Sequence, residues 1–85
     1  MEPYRLLFTR SAKRELEHLP HQIVRLLRNR FDELIMQPRP HGCQKLSSTD
    51  FYRIRQGDYR VLYAIDDLER VVEIIKIGHR REVYR

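Results

Sequence analysis

Apolar and polar positions follow two different periods along the chain, and the change falls near its middle. Tyr4-Arg5-Leu6-Leu7-Phe8-Thr9 reads as a short strand. Ser11 can then cap a helix, its hydroxyl accepting from an amide of the first turn, and Ala12, Leu16 and Leu19 follow at helical spacing. Pro20 ends that helix. A second helix is expected from about His21 to Met36, with Ile23, Val24, Leu27, Phe31, Leu34 and Ile35 on one stripe of 3.6-residue period. Pro38 and Pro40 stop it, and the segment from Gln37 to Gly42 reads as a loop.

Beyond that loop the period becomes two. Phe51 to Gln56 and Tyr59 to Ile65 alternate, and Arg70 to Ile77 is rich in Val and Ile. These are three strands. Gly57-Asp58 separates the first two, and glycine at the first central position suits a two-residue type II′ turn. Asp66-Asp67-Leu68-Glu69 joins the second and third. The expected fold is α+β: an N-terminal strand, a two-helix hairpin, then a three-stranded antiparallel meander, forming one mainly antiparallel sheet. With 85 residues and no repeat or linker, a single domain over residues 1–85 is expected.

Charge adds a partner class to this scheme. Lys+Arg number 17 against 12 Asp+Glu, a net charge of +5, which points to a polyanion or an acidic partner. The chain has no apolar run near the length of a membrane span. Its start, Met-Glu-Pro-Tyr-Arg, does not read as a signal peptide. One cysteine, Cys43, excludes an internal disulfide framework and a cysteine-rich zinc site, so a cytoplasmic location is expected.

The Gly57-Asp58 turn fixes a register. Gln56 then faces Tyr59, Arg55 faces Arg60, Ile54 faces Val61 and Arg53 faces Leu62. One face of the ribbon carries Tyr52, Ile54, Val61, Tyr63 and Ile65, ready to bury against the helices. The other carries Phe51, Arg53, Arg55, Arg60, Leu62 and Ala64. Like charges opposed across strands destabilise a sheet, so three arginines here point to an anion or a partner's acids. Guanidinium forks match phosphate oxygens, and an aromatic such as Phe51 beside them suits single-stranded nucleic acid, rings stacking on bases.

The tail adds His79, Arg80, Arg81, Tyr84 and Arg85 directly after Gly78 and the last strand. It is expected to lie beside the arginine hairpin if the strands pair in sequence order. Strand alternation sets His79 and Arg80 on opposite sides. His18 and His21 straddle a proline and lack a further ligand, so no metal site is expected. Cys43 has no partner base in the sequence, and Asp66-Asp67 reads as a turn.

Two segments, Tyr52-Arg-Ile-Arg-Gln-Gly-Asp-Tyr-Arg-Val-Leu-Tyr63 and Gly78-His-Arg-Arg-Glu-Val-Tyr-Arg85, carry a resemblance to the RelE family of bacterial and archaeal toxins, within the RelE/ParE superfamily. Lys45-Leu46 matches a family loop position, with Ser47-Ser48 where a glycine often follows. The resemblance implies a toxin that enters the ribosomal A site and cuts messenger RNA by attack of a 2′-hydroxyl on the adjacent phosphate, without metal or cofactor. It implies as partners the ribosome and mRNA, a cognate antitoxin, and operator DNA only through the antitoxin complex, with no membrane. It places Arg53, Arg55, Arg60, Arg80 and Tyr84 in the catalytic set, with Lys45, Phe51, His79, Arg81 and Arg85 expected to touch RNA. It also implies that an extra C-terminal helix found in some relatives is missing here.

Arginine stays protonated in proteins, so Arg53 and Arg55 are not ordinary general bases. The base is then Tyr84, His79 or a ribosomal group, and the resemblance favours Tyr84. Two other functions fit the same features: a ParE-like toxin that inhibits DNA gyrase by binding, and a basic RNA-binding module without catalysis.

Overall fold

The computed structural model describes residues 2–79. Its elements are strand β1 (Arg5–Phe8), helices α1 (Arg10–Glu17) and α2 (His21–Met36), and strands β2 (Gln44–Lys45), β3 (Phe51–Gln56), β4 (Tyr59–Asp66) and β5 (Val71–His79). One five-stranded sheet forms in the order β1-β5-β4-β3-β2. β3, β4 and β5 are the antiparallel meander, β2 adds antiparallel outside β3, and β1 lies parallel to β5 at the other edge.

The cap of α1 differs from the sequence expectation. Thr9, not Ser11, precedes the first helical residue; its Oγ1 accepts from Ala12 N at 3.1 Å. The same hydroxyl donates to the Ile75 carbonyl at 2.8 Å, so one side chain starts the helix and holds a strand. The first helix already ends at Glu17, with His18 as its C-cap, while Pro20 opens the second: its carbonyl accepts from Ile23 N and Val24 N, both at 3.0 Å. α2 runs as the periodicity predicts and stops at Gln37, before Pro38.

Both helices cover one side of the sheet. Leu27, Phe31 and Leu34 from α2 and Ala12 from α1 bury against Ile54, Val61, Tyr63, Val72, Ile74 and Ile77. Tyr52 and Ile65 pack at the margin of this core, as the alternation requires. Tyr63 stacks on Tyr52 with ring centroids 5.8 Å apart, and its buried hydroxyl donates to the Pro38 carbonyl at 2.7 Å. Burial first, then nearby Cys43, pushes the Tyr63 phenol above its ordinary pKa.

A second tie joins the loop after α2 to the β4–β5 turn. Arg39 donates to both oxygens of Asp67, at 3.3 and 3.0 Å, and Tyr4 Oη donates to Asp67 Oδ1 at 2.7 Å. The Asp66–Asp67 turn expected from the sequence is present, with Asp66 Oδ1 accepting from Glu69 N at 3.0 Å.

Register within the meander holds one irregularity. Leu62 pairs with Lys76 but Tyr63 pairs with Ile74, so Ile75 is an extra residue, a β-bulge. A one-residue insertion exchanges the faces of everything beyond it. Ile77 is thereby turned into the core, and Gly78 comes opposite Arg60. β5 also runs two residues past the expected end, so Gly78 sits inside the strand rather than after it.

Candidate nucleic-acid interface

The hairpin has the register read from the sequence: Gln56 pairs with Tyr59, Arg55 with Arg60, Ile54 with Val61 and Arg53 with Leu62. Gly57 has φ +60° while Asp58 keeps a negative φ, as a type II′ turn requires. Arg53, Arg55 and Arg60 therefore share the sheet face that the helices leave uncovered, and Phe51, paired with Ala64, shares it too.

The three arginines differ in environment. Arg55 is exposed and Arg53 half-buried, whereas Arg60 is only 6% exposed. β4 is the central strand, and Gly78 opposite Arg60 contributes no side chain on that face. The Arg60 stem therefore lies on the sheet instead of projecting into water, a burial the sequence reading did not anticipate. Arg53 donates through Nη2 to Gln44 Oε1 on β2, its register partner. Gly42, Gln44, Arg53 and Arg55 line a cleft of about 270 Å³. Gln44 is thus a part of this surface that pattern reasoning missed, because a two-residue strand is too short to show a period.

Two expected contributors lie elsewhere. Lys45 pairs with Tyr52 and so shares the helix-side face, away from the arginines. His79 pairs with Tyr59, and its ring meets the Tyr59 ring edge-on at 5.9 Å. With Glu15, His18 and Ile77 these rings border a separate cleft of about 340 Å³ beside the end of α1. The Ile75 bulge is the cause: without it, alternation would have set His79 on the arginine face. Arg80, Arg81, Tyr84 and Arg85 lie outside the described residues. Among the described residues no cluster of three or more His, Cys, Asp or Glu is arranged to hold a metal ion. No described helix is long and apolar enough to cross a membrane.

Chemically, this face can hold a phosphate backbone against planar cations and stack a base on Phe51. Comparison with known proteins agrees with the fold that carries it. The family model for the ParE toxin of the type II toxin-antitoxin system, parDE, matches residues 6–84. Toxin RelG of Mycobacterium tuberculosis is 36% identical over 87 residues, covering 98% of each chain. Toxin RelE of the same organism is 38% identical over 89 residues, covering 98% of this chain and 88% of the relative. Among solved structures, a chain of the archaeal RelE–RelB complex from Pyrococcus horikoshii superposes with a TM-score of 0.83 at 31% identity, over 94% of this chain and 98% of that one. A match that begins in the first strand and runs through the tail, with relatives alignable almost end to end, makes this chain a member of the RelE/ParE toxins of type II toxin–antitoxin systems.

Proposed function

We propose that this toxin is a ribosome-dependent endoribonuclease that cuts messenger RNA through internal attack. The observation that carries the proposal is the shared face of Arg53, Arg55 and Arg60 on a rigid hairpin. In the reaction, O2′ forms a bond to the adjacent phosphorus and the P–O5′ bond breaks. The O2′ proton passes to a base and the departing O5′ takes up a proton, leaving a 2′,3′-cyclic phosphate and a 5′-hydroxyl. The guanidiniums of Arg53, Arg55 and Arg60 stabilise the extra negative charge on the phosphoryl oxygens, which calls for neither metal nor cofactor. Arg80 serves the leaving oxygen. Tyr84 is the base or stacks the neighbouring nucleotide; His79, held against Tyr59 on the far side of the sheet, is not favoured for that role. Phe51, Arg81 and Arg85 contact RNA.

The setting follows from the same chemistry. A cytoplasmic location brings the toxin to its ribosome and message. Neutralisation falls to a cognate antitoxin, since relatives of this chain are solved as complexes with RelB antitoxins. Operator DNA is met only through the toxin–antitoxin complex.

The test is expression without antitoxin, with message ends mapped during translation. Cuts inside translated messages are expected. Arg55→Ala and Arg60→Met are each expected to slow cleavage by roughly 10²–10³, about 3–4 kcal/mol. Methionine is chosen at Arg60 because its stem keeps the packing that alanine would remove. Intact messages accompanied by gyrase-linked DNA breaks would replace this reading with the ParE-type one.

A further inference from the structure

β5 is nine residues long, but β1 pairs with only its first four, Val71 to Ile74. Past that point no described strand lies beside the outer edge of β5, yet backbone groups of Ile74, Ile75 and Ile77 are met. Thr9 N donates to the Ile74 carbonyl at 3.0 Å, and Thr9 Oγ1 to the Ile75 carbonyl at 2.8 Å. Glu15 Oε1 then accepts from Ile77 N at 2.9 Å, while Glu15 Oε2 accepts from Lys76 Nζ at 3.1 Å. Thr9 and Glu15, from the cap and body of the first helix, thus stand where no described edge strand runs, over the segment that contains the bulge.

That segment sets the geometry of the arginine face. The bulge turns Gly78 opposite Arg60, and the chain continues from His79 directly into Arg80. A slip of one residue there would exchange the faces of residues 76–79 and bring a side chain against Arg60. Glu15 borders the His79–Tyr59 cleft on the helix side of the sheet, and it reaches the arginine face only through Lys76, which pairs with Leu62 there.

We propose that Glu15 is a positioning residue for RNA cleavage, its carboxylate pinning the Ile77 amide so that the bulged end of β5 keeps Arg60 in reacting register. This role rests on the nuclease reading given above. At the Ile77 amide it requires an acceptor at the right reach and not the negative charge, which serves the ion pair to Lys76 instead. Glu15→Gln keeps both reach and acceptor; Glu15→Asp keeps the charge but is one methylene short. Both are polar changes at a side chain 27% exposed, so both variants are expected to fold.

Single-turnover cleavage on translating ribosomes and amide exchange at Ile77 are measured for the parent and both variants. Glu15→Gln is expected within about threefold of the parent in both. Glu15→Asp is expected to lose roughly tenfold in kcat or more, with KM within about twofold, because misplacement weakens the chemical step while the exposed arginines still bind RNA. Its Ile77 amide is expected to exchange at least about tenfold faster. A cleaving parent with Glu15→Asp at the parental rate overturns the role alone, as does equal loss in both variants or a loss confined to KM. A parent that leaves messages intact overturns the nuclease reading, and this role falls with it.

Discussion

At the scale of single residues, conformation and burial part company with composition. The arginine row was legible because the Gly57-Asp58 turn fixes its register, and Arg55 and Arg60 do oppose each other. The burial of Arg60 was not, since it depends on Gly78, a residue brought opposite it by a bulge that no local signal marks. Ser48 is a clearer case. Ser48 adopts φ +61°, the left-handed region that a Cβ disfavours. Ser48→Gly is expected to raise unfolding stability by about 1 kcal/mol, read as a higher urea midpoint at unchanged slope. An unchanged midpoint would mean that the loop carries no strain at this position.

The elements divide by length. Strands of six to nine residues and a helix of sixteen show their period plainly, and α2 has the expected bounds. β2 has two residues and shows none. The loop before it is held instead by Arg39, whose partners Asp67 and Tyr52 lie far along the chain and could not be paired by spacing. This clasp makes a pH prediction. The Arg39 guanidinium first, and the Tyr4 hydroxyl second, hold the Asp67 carboxyl below its ordinary 3.8. A carboxyl depressed in the folded state contributes stability above its unfolded pKa and loses it as pH falls through the folded one. Asp67→Asn is therefore expected to be less stable than the parent at pH 7 but to lose less on acidification below about pH 4. Thermal melts across pH 2–7 read this directly, and parallel curves for the two proteins would remove Asp67 as a contributor.

For the molecule as a whole, helices on one side of the sheet leave the other for binding, and a net charge of +5 favours a polyanion there. Contacts from three or four cations to a single strand predict a log–log salt slope of RNA affinity near −2 to −3. A flat dependence measured by titration would argue against phosphate recognition by this face. The overall topology also dictates an order of assembly. β3, β4 and β5 are neighbours in sequence and can zip together early, whereas β1 pairs Arg5 with Val71 across most of the chain. Distant closures are slow, so the first strand made is expected to be the last to dock. Thr9 follows that strand directly, so its bonds to Ile74 and Ile75 are expected to form only with its docking: the meander can turn its arginines to one side early, but the bulged end of β5 waits for the opposite end of the chain to come home.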